Sequence, residues 1–274
     1  MNIKEPLVSI ITPVLNCCDY IEESLLSVLN QSYSKIEHII MDGGSTDGTV
    51  RILEEYHKKY PDRITYRSEK DRGAGEALNN GMKMSKGEII GWLNADDIYE
   101  RDAVRTIVDF FISCPSASFV HGNCRYITNT KDFLYIHKAQ NFTLKQIINN
   151  NNFVAYISAF YKRKVVEKVG GLDIYGNDYD YMIRIAKIFP VYTVDKILAN
   201  FRVNPKGETG SIKSYIKVLR KDYLMVRQHG ASIFARKCME YYKFLFICKL
   251  GLLPIYEFLW NRKLKKLAAQ NKIK

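Results

Sequence analysis

Residues 36–61 read IEHIIMDGGSTDGTVRILEEYHKKYP. Ile36 to Met41 form a short, mainly apolar run, the pattern of a strand buried in a parallel sheet. The next eight residues, Asp42 to Thr49, are those that turn a chain: glycine for unusual backbone angles, Asp and Ser for local hydrogen bonds. A helix is expected from about Thr49 to Tyr60, where Pro61 stops it. Asp47 is expected to cap that helix. One strand, one polar turn and one helix make the repeating unit of an α/β fold.

The same unit recurs on both sides. Leu7 to Val14 (LVSIITPV) is a compact β-branched strand, and a helix follows from Asp19, whose spacing to Glu22 resembles a capping box. Ile64 to Ser68 forms a third strand and Ala74 to Met84 a helix closed by Gly87. Glu88 to Leu93 (EIIGWL) is a fourth strand that runs into Asn94-Ala95-Asp96-Asp97, and a helix from about Asp102 to Cys114 precedes Pro115. The expected architecture is α/β: a mostly parallel, Rossmann-like sheet flanked by helices. Such sheets bind ligands beyond the carboxyl ends of their strands. The second half is less regular, with strands near 119–127 and 197–203 and helices near 143–150 and 179–188.

Charge divides the chain. From Ser211 onward there are 15 Lys or Arg against 3 Asp or Glu, while residues 1–210 carry 26 of each. The whole surplus of +12 therefore sits in the last quarter. A neutral body argues against a nucleic-acid binder, whose basic surface would span the fold. Six scattered cysteines without a C-x-x-C pair, and an N-terminus without a signal-peptide core, fit a reducing cytoplasm. Trp92 and His121 are expected in the core.

Two loops at strand ends carry the chemistry. Asp96-Asp97 offers hard carboxylate oxygens of the kind that hold Mg²⁺ or Mn²⁺; a plain turn or helix cap is the competing reading. Asp42-Gly43-Gly44-Ser45 lets backbone approach a ligand and supplies hydrogen-bond acceptors.

Taken together, VSIITPVLN (8–16), IIMDGGSTDGT (39–49), SEKDRGAGEALNNGM (68–82), KGEIIGWLNADDIY (86–99) and NDYDYMIRIAK (177–187) resemble family 2 glycosyltransferases of the GT-A fold. The resemblance implies a nucleotide-sugar half at 1–100 and an acceptor half at 101–210; the composition of 211–274 adds a basic, aromatic helical extension. It implies an inverting hexosyl transfer from a UDP-sugar and a divalent cation, Mn²⁺ or Mg²⁺. Pro13, Leu15 and Asn16 then border the nucleotide, Asp42 lies in the base-binding acidic pair, and Asp71 and Asn79 face the donor. Asn94, Asp96 and Asp97 match the metal motif, with Asp97 on the metal and Asp96 on ribose or metal. Asp178 matches the catalytic base. Three positions depart from the pattern: Gly43, Asn94 and Asn177 stand where the family has acids. Asp180 is four residues before Arg184 and is assigned to a helical salt bridge. Arg202 ends a strand and is a candidate for the diphosphate.

Residues 241–260 (YYKFLFICKLGLLPIYEFLW) are apolar and aromatic, but lysines, Glu257 and Pro254 interrupt them. An in-plane helix on an anionic membrane surface is expected rather than a spanning one; a helical pair packed on the core is the alternative. With the family resemblance this implies a lipid-linked oligosaccharide acceptor, such as a sugar on undecaprenyl diphosphate, at the inner face of the cell membrane. A sugar-phosphate nucleotidyltransferase and a non-catalytic nucleotide-sugar or nucleic-acid binder are the competing functions.

Overall fold

The computed structural model describes residues 5–150, 154–173, 178–203, 212–252 and 254–255. Asn177, residues 204–207 and the tail beyond Ile255, with Trp260 and the basic run from Arg262 to Lys266, lie outside the described residues.

The first half follows the expected unit. Strand β1 (Val8–Val14) leads to helix α1 (Ile21–Leu29), β2 (Ile36–Asp42) to α2 (Thr49–Lys59), and β3 (Ile64–Ser68) to α3 (Ala74–Met84). Then come β4 (Ile89–Trp92), a short β5 (Ile98–Tyr99) and α4 (Ala103–Ser113). β1, β2, β3 and β4 are parallel, in the order β3-β2-β1-β4. Both faces of β1 are covered, which is why Val8, Ile10 and Ile11 are fully buried and why the strand lacks polar alternation. Helix α1 presents Ile21, Leu25 and Val28 at helical spacing to that core.

The second half reverses direction. It contains β6 (Phe119–Ile127), β7 (Phe133–His137), α5 (Leu144–Asn149), a 3₁₀ turn at Tyr156–Ser158, β8 (Ala159–Lys162), α6 (Arg163–Val169), α7 (Asp178–Ala186) and β9 (Val191–Arg202). β8 is antiparallel to β4 and to β6, and β5 is antiparallel to β9. Among the described residues nine strands form the sheet, in the order β3-β2-β1-β4-β8-β6-β9-β5, with β7 on β6. The sheet is thus parallel in its nucleotide half and antiparallel beyond β4. Helices α8 (Ile212–Gln228) and α9 (Arg236–Lys249) follow.

Three local expectations need correction. Helix α1 is capped at Tyr20 with no side-chain bond, so Asp19 is not its cap. Asp47 is not the N-cap of α2 either: Gly48 is, at φ 102°, and Asp47 accepts the Thr49 N–H from one residue earlier. Gly87 does not close α3, which ends at Ser85. Gly87 is small because a Cβ there would lie 2.5 Å from Ser9 Oγ and 2.8 Å from the Leu7 carbonyl oxygen. Trp92 and His121 are buried, as expected.

The chain forms two compact units. The first comprises residues 1–124, 137–141 and 154–201; the second comprises 125–136, 142–153 and 202–274. In the second unit, Thr143 and Gln146 form a complete capping box on α5. There α8 and α9 pair through stacked Tyr223 and Tyr241 and through a 3.0 Å Asp222–Lys237 bridge.

Candidate active site

The register fixes the rim. Val14 pairs with Asp42, and Asp42 with Ser68, so three parallel strands end level. The loops that follow them lie together at the carboxyl edge, where an open α/β sheet receives ligands.

The loop after β2 is tied down from all sides. Asp42 is buried, and its Oδ2 accepts the Gly44 and Ser45 N–H groups at 3.0 Å and Ser68 Oγ at 2.6 Å. Its Oδ1 accepts the Ser45 hydroxyl. Three of the four donors crowd Oδ2 and one occupies Oδ1. Asn16, in the left-handed region at φ 50°, accepts Thr46 N–H at 2.8 Å and donates its own N–H to Ser45 Oγ at 2.7 Å. Asp47 accepts from Thr49 Oγ1 at 2.6 Å and from Cys18 N–H at 2.9 Å. Desolvation acts to raise the Asp47 pKa, but the bonds from Thr49 and Cys18 outweigh it and hold the carboxyl well below its ordinary value. These bonds splice the β1 loop to the β2 loop. Leu15 projects from that splice, exposed, beside half-buried Pro13.

The Asn94–Asp97 turn follows β4. Asp97 is fully buried and Asp96 half-buried. Asn94 Nδ2 donates to Asp97 Oδ2 at 2.9 Å and to the Tyr156 hydroxyl at 2.7 Å. Burial first, then the charges of Asp97, Asp178 and Asp96, push the Tyr156 phenol far above its ordinary range. The thiol of Cys17 rises to about 12, through burial first and then Asp96, Asp47 and Asp97. One phenol therefore feels three candidate carboxylates, and the β1 loop feels two of them. Tyr156 is not among the site residues expected from the sequence. It lies in a short 3₁₀ turn with no sequence pattern to mark it, and its ring packs on Trp92 at 5.8 Å.

Asp178 opens α7. Asp180 bonds Arg184 Nε at 2.7 Å, the salt bridge expected from their spacing. Arg184 also donates to the Val169 and Gly171 carbonyl oxygens, so the pair anchors α7. Asn79 on α3 is an anchor of the same kind. Its amide donates to Leu172 O at 2.9 Å and accepts Leu172 N–H at 2.8 Å. Asp71 lies against Gly43. Arg202 belongs to the second unit, where it is buried and donates to the Asn129 carbonyl oxygen at 2.8 Å.

Among the described residues, no group of three or more His, Cys, Asp or Glu side chains is arranged to hold a metal. A hard cation that keeps water and takes phosphate oxygens needs only one or two protein carboxylates. Asp96 and Asp97, in one turn at the carboxyl edge of the sheet, are the pair that would hold such an ion.

A sequence model of glycosyl transferase family 2 matches residues 9–170, more than half of the chain, and the protein belongs to that family. It is therefore a glycosyltransferase. The chain is 30% identical over 242 residues to chondroitin synthase of Escherichia coli, covering 87% of this chain and 34% of that protein. It thus spans about a third of that relative's length. It is 29% identical over 203 residues to TuaG of Bacillus subtilis, a glycosyltransferase assigned to teichuronic acid biosynthesis, covering 73% and 80% of the two chains. Among solved structures, the mannosyltransferase PcManGT from Pyrobaculum calidifontis, in complex with GDP-Man and Mn²⁺, matches with a TM-score of 0.64 at 21% identity, covering 91% of this chain and 72% of that one. S. aureus TarS 1–349 in complex with UDP-GlcNAc matches with a TM-score of 0.60 at 18% identity, covering 80% and 66%. These likenesses show the GT-A fold. The family sets aside the nucleotidyltransferase and non-catalytic readings.

Proposed function

We propose that this glycosyltransferase moves a hexose, glucose or galactose, from a UDP-sugar with inversion onto a lipid-linked sugar, making a β-linkage during surface-polysaccharide assembly. The acceptor we assign is a sugar such as N-acetylglucosamine on undecaprenyl diphosphate. The observation that carries the reading is the Asn94–Asp97 turn at the carboxyl edge of the sheet, where the Asn94 amide bonds both Asp97 Oδ2 and the Tyr156 hydroxyl. The names of two relatives, chondroitin synthase and TuaG of teichuronic acid biosynthesis, support a polysaccharide product. The solved neighbours bound to UDP-GlcNAc, and to GDP-Man with Mn²⁺, support a nucleotide-sugar donor and a divalent cation.

In this reading Asp97 and Asp96 hold Mn²⁺ or Mg²⁺, which neutralises charge on the departing diphosphate. Asp178 accepts the proton of the acceptor hydroxyl as that oxygen bonds the anomeric carbon. The bond from that carbon to the diphosphate oxygen breaks, and UDP leaves with the electron pair. The Asn16–Ser45–Asp47 splice holds the β1 and β2 loops beside the nucleotide.

The membrane assignment rests on the second unit. In and around α9, Phe234, Leu245, Phe246, Leu250, Leu252 and Ile255 are exposed, interspersed with Lys243 and Lys249. Among the described residues no helix is long and apolar enough to cross a membrane. Apolar side chains beside lysines suit an in-plane contact with an anionic leaflet.

The test is to incubate the protein with Mn²⁺, a panel of UDP-, GDP- and dTDP-sugars and a synthetic diphospholipid-linked N-acetylglucosamine, and to weigh the products. A hexose added from UDP-glucose or UDP-galactose supports the reading. Transfer from a GDP- or dTDP-sugar alone, or to no lipid-linked acceptor, overturns the substrate assignment.

A further inference from the structure

Family resemblance places two adjacent acids at the end of β2, and this chain has Asp42 followed by Gly43. Asp42 is buried, and its two oxygens accept four hydrogen bonds from Gly44, Ser45 and Ser68. Three of these bonds fall on Oδ2 and one on Oδ1, so the carboxylate is mostly engaged in organising its own loop. Gly43 is not in the left-handed region, so its backbone does not demand glycine. Space does. A Cβ at position 43 would lie 3.0 Å from Asp71 Oδ2, 3.1 Å from Oδ1 and 3.2 Å from Cγ. The Asp71 carboxylate fills the volume into which a side chain at 43 would extend.

Asp71 arrives there from the next loop. Ser68 closes β3 beside Asp42, and the Glu69 N–H donates to the Asp42 carbonyl oxygen at 2.9 Å, which turns the following residues back over the β2 loop. Asp71 Oδ1 accepts the Gly73 N–H at 2.8 Å. Among the described residues Oδ2 accepts no hydrogen bond, and it is the oxygen nearest the vacated side-chain position.

We propose that Asp71 reads the donor's base in this chain, in the place that Gly43 leaves open, while Asp42 holds the loop. The inference rests on the UDP-sugar reading above. An ionised carboxylate only accepts, so it matches the N3–H of uracil and repels cytosine, whose N3 is itself an acceptor. The alternative is that Asp71 only forms the turn before α3 through Gly73.

The two roles separate in a ligand-by-variant cycle. With Mn²⁺ present, UDP and 3-methyl-UDP, which lacks the N3–H, are titrated calorimetrically into the wild type, Asp71→Asn and Gly43→Asp/Asp71→Gly. Wild type should prefer UDP by roughly tenfold to a hundredfold, the worth of one charge-assisted bond. Asp71→Asn, whose amide oxygen still accepts but carries no charge, should show a clearly smaller preference than the wild type. The double variant, which returns the carboxylate to position 43, should regain the preference. A preference undiminished in Asp71→Asn, or absent from the wild type, overturns the inference while leaving the UDP donor standing. Absence of any UDP binding by the wild type fells the donor reading and this one together. If Asp71→Asn does not fold, the double variant decides, and its failure to discriminate counts against the proposal.

Discussion

The Asn94 amide nitrogen lies 2.9 Å from Asp97 Oδ2 and 2.7 Å from the Tyr156 hydroxyl, so one neutral side chain holds a fully buried carboxylate and orders a phenol. An acid at position 94 would set a second negative charge against Asp97. The amide instead donates to it, which aims one oxygen and leaves the charge on Asp97 intact. Groups that orient metal ligands in this way typically matter by 10- to 100-fold in affinity or activity. Asn94→Ala should therefore lower activity by roughly that factor, and much of the loss should be recovered at higher Mn²⁺. Activity measured against Mn²⁺ concentration checks this. An unchanged half-saturation point would show that Asn94 does not act through Asp97.

Asp178→Asn separates binding from chemistry. The amide keeps the shape but cannot take the acceptor's proton. Transfer should fall by about 10²- to 10⁴-fold, the usual worth of a general base. UDP affinity by calorimetry should stay within a factor of about 3, no more than the net worth of one weak hydrogen bond. A transfer rate equal to wild type would move the base elsewhere. Asp180 is a poor substitute, because Arg184 holds it at 2.7 Å.

The legibility of the fold follows its burial. β1 and β2 are covered on both faces, so apolar runs such as 7–14 and 36–41 announce them. β8 has four residues and the first half of β9 is half-exposed or exposed, so only the buried end of β9, near 197–203, stands out as a run. Their antiparallel pairing follows from tertiary packing, which strand patterns do not encode. The site divides in the same way. Asp96, Asp97 and Asp178 stand in motif order and can be read from it. Tyr156 reaches them only because a 3₁₀ turn after the α5 region carries it there, 62 residues from Asn94. The closure of Asp71 over Gly43 depends on how two loops fold, and spacing alone could not reveal it.

Gly87 tests a position that is structural and remote from the rim. It sits before β4, at the amino end of the sheet, and its N–H donates to Ser9 Oγ at 2.8 Å. A methyl group there would lie 2.5 Å from Ser9 Oγ and 2.6 Å from Ser9 N. Gly87→Ala should destabilise the fold by about 1–3 kcal/mol, the range for overpacking a tight contact. UDP affinity of the folded fraction should not change. Urea unfolding with parallel calorimetry measures both, and undiminished stability would mean that β1 can shift to make room.

His38 sets an acid limit on stability. It is buried on β2 with Nε2 2.8 Å from Thr12 Oγ1, and burial, followed by the nearby charge of Arg63, lowers its pKa to about 3. The unfolded chain takes up a proton on this residue near its ordinary value of 6.5, while the folded chain refuses it until about pH 3. Between those values the unfolded state binds the extra proton, so stability falls as pH falls. The slope from this one group approaches about 1.4 kcal/mol per pH unit. Above pH 6.5 both states hold it neutral, and its contribution is flat. Carboxylates titrate in the same window, so the comparison must be made against a variant. His38→Gln keeps a polar partner for Thr12 and cannot be protonated. Urea midpoints taken from pH 7 down to pH 4 should drop more steeply in the wild type than in His38→Gln, by close to one proton. Parallel slopes would mean that His38 is already charged in the folded protein, with its proton accommodated beside Thr12.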